Sequence, residues 1–252
     1  MIYSVCLPAI LKGWETEEAL KVVRDSGLTH FEIWGVEDYG ADRLACLKDQ
    51  YGLTLVTHGV AHVPLVDPAR RDEYVAGLKE SCRTAKMLGV KKLISQVGQE
   101  RAGVSRKEQH QCLVDSLKAC IPVLEENDMV LMIEPLNTRT DHPGYFLSSA
   151  QEGFEIIREV NDPHVRLLYD MYHQYVTGDF SAEEIVKNLD LIAHFHLAGY
   201  PGRKEPGNDE TDYPAALAKI KSAGYTGTVG LEYFPDGDPL TELKRFMEEI
   251  AV

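Results

Sequence analysis

Short apolar runs alternate along this chain with longer amphipathic stretches, and the pair repeats eight times. The apolar runs fall at Ile2–Leu7, His30–Gly35, Thr54–Gly59, Lys92–Val97, Val130–Pro135, Arg166–Met171, Ala193–Ala198 and Thr228–Tyr233. Helical periodicity fills Thr16–Ser26, Gly40–Gln50, Pro68–Leu88, Ser105–Glu126, Ser148–Glu159, Ala182–Lys187, Tyr213–Ser222 and Pro239–Glu249. The strand runs are nearly continuous Val, Ile and Leu, as parallel strands covered on both faces require. Ser105 with Glu108 and Ser181 with Glu184 have the spacing of capping boxes at helix starts. Gly27, Gly52, Gly89 and Gly224 each follow a helix and precede a strand, where a left-handed cap is expected.

Eight strand–helix pairs predict an α/β chain forming a single (β/α)₈ TIM barrel over residues 1–252. No linker or low-complexity segment breaks the rhythm. An open doubly wound sheet is the competing architecture. The absence of a Gly-rich phosphate loop after the first strand weakens it. In a barrel all strands end at one face, and that face carries the active site.

Four residues of metal-ligand type stand at or near the ends of successive strands: Glu134, Asp170, His196 and Glu232, in LMIEPLN, RLLYDMYH, AHFHLAG and VGLEYFP. The intervals are 36, 26 and 36 residues, about one strand–helix–strand step each. Any one of them alone reads equally well as an ion pair or a helix cap. Four in sequence, each costly to desolvate unless paired, point to one divalent metal site at the barrel mouth. Three carboxylates suit Mn²⁺ or Mg²⁺, and the single imidazole admits Co²⁺, Zn²⁺ or Ni²⁺. Such an ion can hold the carbonyl and adjacent hydroxyl of a small substrate and stabilise an enediolate. Glu134 and Glu232, on the fifth and eighth strands, then serve as the carboxylates that move the proton.

The remaining composition narrows the partners. Lys and Arg number 26 against 40 Asp and Glu, a formal charge of −14, which disfavours nucleic acid and anionic membrane. No run approaches the length of a membrane span. The N-terminus MIYSVCLPAILKG reads as a first strand, not a signal peptide. Five cysteines, an odd number with no C-x-x-C pair, read as free buried thiols in a reducing, cytoplasmic setting.

The stretches IEPLNTRTDHPGYFL, YDMYHQYVTGD, HFHLAGYPGRKEPG and GLEYFP together resemble the xylose isomerase-like barrels, and within them the hydroxypyruvate isomerase branch. The resemblance runs through the whole chain in outline and is strong over 130–235. It implies metal ligation by Glu134, Asp170, His196 and Glu232, with Glu134 and Glu232 as acid and base. It also implies substrate contacts from His173 and Arg203, with Glu205 orienting Arg203 or a substrate hydroxyl. The reaction implied is hydroxypyruvate to tartronate semialdehyde, and a homo-oligomer follows by analogy only.

The first half departs from that branch in THGVAHVPL and ISQVGQE, which bears on substrate more than on chemistry. His58 and Gln96 at strand ends are further candidates for substrate contact. Trp34 ends the second strand as an apolar wall for a sugar carbon face. Glu32 is expected to face the barrel interior and pair with a cation in a structural role. Two other enzymatic readings use the same residues: a ketose 3-epimerase, needing a longer pocket, and a lyase or dehydratase acting on an oxidised sugar. A DNA-repair phosphodiesterase would need more histidines and a basic face. A non-catalytic barrel would leave the ligand set without a purpose.

Overall fold

Strands β1 Ile2–Cys6, β2 His30–Ile33, β3 Thr54–Gly59, β4 Lys92–Ser95, β5 Val130–Ile133, β6 Val165–Asp170, β7 Ile192–Leu197 and β8 Thr228–Leu231 close into a parallel barrel. A computed structural model describes residues 1–207 and 210–252. Each strand pairs with the next, and β1 closes on β8. Between them run α1 Leu7–Ile10, α2 Thr16–Asp25, α3 Ala41–Gln50, α4 Arg71–Leu88, α5 Arg106–Asn127, α6 Ala150–Val160, α7 Met171–Thr177, α8 Ala182–Lys187, α9 Tyr213–Ser222 and α10 Pro239–Glu249. Among the described residues no helix is long and apolar enough to cross a membrane.

The main core lies between strands and helices. Val5, Leu93, Leu131, Leu167 and Val229 are sealed from water against helical residues such as Leu20, Leu117 and Phe154. The inside of the barrel carries polar side chains: Ser4, Glu32, Lys92, His194 and Thr228 bond to one another or to strand carbonyls there.

The local signals act mostly as expected. The Ser105–Glu108 box is complete in both directions. Ser181 accepts from Glu184 N–H, but the Glu184 carboxylate takes Lys187 at 2.6 Å. Gly27, Gly52, Gly89 and Gly224 have φ of +84°, +65°, +75° and +98°, conformations that cost a side chain energy.

Several boundaries differ from the sequence expectation. The first strand stops at Cys6 because Leu7 and Pro8 begin a helical turn. The sixth ends at Asp170, not Met171, because Asp170 Oδ1 accepts His173 N–H (3.1 Å) and caps α7. The Pro68–Leu88 stretch opens with a 3₁₀ turn at Pro68–Arg70 before α4 begins. The cysteines are free, but Cys46 is exposed while the other four are buried.

Candidate active site at the barrel mouth

Register brings the four proposed ligands to one place. Asp170 is the last residue of β6 and lies beside His196 of β7. His196 in turn lies beside Gly230 of β8. Glu134 and Glu232 are the first residues after β5 and β8, respectively. One donor atom from each of Glu134, Asp170, His196 and Glu232 falls within 4.8 Å of all the others, and all four residues are buried.

The distances suit a hard divalent ion. His196 Nδ1 is 3.5 Å from Glu134 Oε1 and 3.3 Å from Glu232 Oε2. Ligands bound at about 2.1 Å and at right angles stand about 3 Å apart. Glu134 Oε1 and His196 Nδ1 are buried without a hydrogen-bond partner, as donors directed at an ion would be. Among the described residues, three carboxylates in this cluster, with Glu32 beneath, face two permanent cations, Arg203 and, inside the barrel, Lys92. That excess of buried negative charge calls for a further cation. The residues therefore fit the oxygen-rich divalent ion that the donor set suggests.

The carboxylates are held in unlike states. Burial pushes the Glu134 carboxyl up to about 7, against the pull of His196. Burial also opposes ionisation of Glu232, but His196 and Arg203 outweigh it and hold that carboxyl well below the usual range. Burial opposes protonation of His196, yet Glu32 and Glu232 raise it well above an ordinary imidazole.

Glu232 is the most braced of the four. Trp34 Nε1 donates to its Oε1 at 2.6 Å, Arg203 donates to its Oε2, and the Cys6 thiol lies 3.6 Å from Oε1. The Trp34 backbone is tied to the end of β3, where Gly59 N–H donates to Trp34 O at 3.0 Å. A Cβ on Gly59 would fall 2.2 Å from that oxygen.

A cavity of about 230 Å³ opens above the cluster. Its described wall includes Glu134, His196 and Glu232 below, Arg203 and His173 on one side, and Trp34, Val60, Ile94 and Leu136 as apolar surface. His173 is fully buried, and burial lowers its imidazole to about 4. Its tautomer follows from Asn137. Asn137 Oδ1 accepts Thr140 and Asp141 N–H, so its Nδ2 faces His173 Nδ1 at 2.7 Å. His173 Nδ1 accepts, and Nε2–H is left as a neutral donor 3.6 Å from Asp170 Oδ2.

Arg203 has a positive φ of +56°. Its guanidinium lies 5.5 and 5.7 Å from the Tyr172 and Phe234 ring centres. Its carbonyl accepts Phe234 N–H, which ties the loop after β7 to the end of β8.

The remaining candidates divide between the cavity wall and its surroundings. Glu205 Oε2 accepts Asp236 N–H at 3.1 Å and lies outside the described cavity wall, so it braces the loop that carries Arg203. His58 is also outside that wall, with Nδ1 2.8 Å from Gly59 O. Gln96 lines the cavity. Three contributors escaped the sequence reading: His62 and His142 in the wall, and Asn137 behind His173. The signal for Asn137 is N-T-R-T-D, in which an Asn starts a turn by accepting backbone N–H groups.

The family model described as the xylose isomerase-like TIM barrel matches residues 20–250. The chain belongs to this family. Among curated relatives, hydroxypyruvate isomerase of Escherichia coli (strain K12) is 34% identical over 169 residues, covering 67% of this chain and 65% of that protein. The 2-oxo-tetronate isomerase of Cupriavidus necator is 30% identical over 169 residues, covering 67% of this chain and 64% of that protein. The match thus spans slightly less than two thirds of the length of either relative. A solved structure described as an AP endonuclease, family 2, from Brucella melitensis is 26% identical with a TM-score of 0.91, covering 99% of each chain.

Proposed function

We propose that the protein is a divalent-metal-dependent isomerase of a small 2-oxo hydroxy acid, of the kind its relatives named for hydroxypyruvate and 2-oxo-tetronate act on. The observation that carries this reading is the convergence of Glu134, Asp170, His196 and Glu232 within 4.8 Å under a cavity walled by Arg203, His173 and Trp34.

A divalent ion held by those four residues supplies Lewis-acid polarisation of the substrate carbonyl and charge to balance an enediolate. The chain's own groups do the rest. Arg203 and neutral His173 Nε2–H donate to substrate oxygens and fix its orientation. Trp34, Val60, Ile94 and Leu136 exclude water from the carbon face. One of Glu134 and Glu232 removes the proton from the hydroxymethyl carbon of hydroxypyruvate. The same carboxylate, its proton exchanging in part with solvent, returns a proton to the neighbouring carbonyl carbon, while the second carboxylate carries the hydroxyl proton to the former carbonyl oxygen. One C–H bond breaks and one forms, and no electron acceptor is needed.

The test is proton exchange followed by NMR in D₂O with Mn²⁺-treated, then Mg²⁺-exchanged protein. Substrates are hydroxypyruvate, a 2-oxo-tetronate, fructose and ribulose. Deuterium entering hydroxypyruvate or the tetronate next to the carbonyl, abolished by chelator, is the expected outcome. Labelling of a ketose at C3 alone would assign 3-epimerase chemistry instead. Release of water from an oxidised sugar without isomer would assign a dehydratase.

A further inference from the structure

Beneath the proposed metal ligands lies a second cluster, Glu32 with His194 and His196, sealed inside the barrel. Resting on the metal-site reading above, we infer that Glu32 is a positioning residue that makes His196 bind the ion through Nδ1.

The hydrogen-bond roles form a directed chain. Lys92 Nζ donates to Ala193 O at 2.8 Å and lies 3.5 Å from Thr228 Oγ1, which places a donor on the acceptor side of that hydroxyl. The Thr228 hydroxyl then donates to His194 Nδ1 at 2.7 Å. With Nδ1 accepting, His194 carries its proton on Nε2 and donates to Glu32 Oε2 at 2.9 Å. Ser4 Oγ donates to the same oxygen at 3.0 Å. Two donors on Oε2 fix the carboxylate plane and leave Oε1 turned to His196.

Glu32 Oε1 lies 2.8 Å from His196 Nε2. The approach is off the N–H direction, so neither atom has a well-aligned hydrogen bond. Two lone pairs would repel at that distance, so Nε2 carries the proton. The Nδ1 lone pair is then the only one His196 can offer, and it faces Glu134 and Glu232. Carboxylate partners on the far nitrogen of a metal-bound histidine set its tautomer and orientation in this way.

The backbone is shaped around the pair. A Cβ on Gly230 would fall 2.3 Å from Glu32 Oε1 and 2.6 Å from His196 Cδ2. Strand β8 therefore needs glycine there to admit both side chains. Glu32 lies outside the four-residue ligand set and would act on an ion through His196, which separates its role from the ligands'.

The experiment uses the full chain, ¹⁵N-labelled at histidine, with Zn²⁺ alone as probe. In the unaltered protein, long-range ¹H–¹⁵N NMR should show His196 coordinated at Nδ1 and protonated at Nε2. In Glu32→Gln one amide oxygen cannot accept from both histidines. Zn²⁺ affinity, read by chelator competition, should fall about 10- to 100-fold, with His196 coordinating through a mixture of Nδ1 and Nε2 in the Zn²⁺-bound variant. Gly230→Ala keeps every polar group and should act in the same direction by displacing the Glu32 carboxylate. Coordination through Nε2 in the unaltered protein overturns the inference without need of any variant. So does a folded Glu32→Gln protein with unchanged affinity and unchanged coordination through Nδ1. If the unaltered protein binds no Zn²⁺, Mn²⁺ or Mg²⁺, the metal-site reading fails and the inference with it.

Discussion

Two carboxylate–histidine clusters meet at His196 and are built on opposite plans. The outer one sets three carboxylates, Glu134, Asp170 and Glu232, around one imidazole beneath the cavity. The inner one sets one carboxylate, Glu32, between two imidazoles with Ser4 completing its shell. Crowded like charges leave Glu134 Oε1 unpaired and push its carboxyl to about 7, burial being the main cause. In the inner cluster burial acts in the same direction, but His196 and His194 outweigh it and hold Glu32 at about 2. Two glutamates of one barrel thus differ by what surrounds them. An unbalanced cluster is ready for a cation and a proton, whereas a balanced one serves as scaffold.

The comparison is most strongly tested at Glu232. Glu232→Gln keeps a ligating oxygen but cannot take a proton, so turnover should fall about 10³-fold or more while metal binding is partly kept. Near-normal kcat in this variant would remove the two-carboxylate chemistry from the outer cluster. His196→Ala strikes both clusters at once. Metal affinity should drop by more than about 100-fold, beyond the loss typical of an indirect partner, as measured by titration calorimetry.

The inner cluster has its own signature in acid. The folded pKa of Glu32 is depressed relative to its ordinary 4.5, so its contribution to stability is present above about pH 4.5 and is lost as pH falls towards 2. Roughly 3 kcal/mol is at stake on that scale. Urea unfolding of the metal-free protein between pH 5 and 2.5 should therefore show a steeper loss than the same series for Glu32→Gln. Parallel curves would mean that the inner pair is not ionic. The smallest effect is expected from Trp34→Phe, which keeps the ring but removes the N–H on Glu232 Oε1. A fall of about tenfold in kcat, the scale of one hydrogen bond to a charged group, would show that the indole tunes the base as well as forming a wall.

Much of this was legible in the linear chain, for identifiable reasons. Parallel strands covered on both faces read as mainly apolar runs even with polar residues facing the barrel interior, so all eight appeared within a few residues of their bounds. Glu134, Asp170, His196 and Glu232 stood out because a polar residue ending such a run must be paired or exposed. Helix α7 was hidden, because Met171–Thr177 is too short for periodicity and its signal is the Asp170 side chain, which also reads as a ligand. His142 and Asn137 were hidden in a loop where spacing says nothing about direction. Glu205 sits close to Arg203 in sequence yet turns to the Asp236 amide, since the loop after β7 folds back on the end of β8.

The repeat, the strand ends and the residue types that gather there are written in the linear chain, because periodicity and desolvation cost act along it. Which atoms face which depends on how the barrel closes. Barrel closure brings β2 to β7 across the interior, so that Glu32, 162 residues from His194, meets it at 2.9 Å. The same closure lets Trp34 reach Glu232 and makes Gly230 the one residue small enough to stand between Glu32 and His196. Those are contacts between strands distant in sequence, and no local pattern in the chain encodes them.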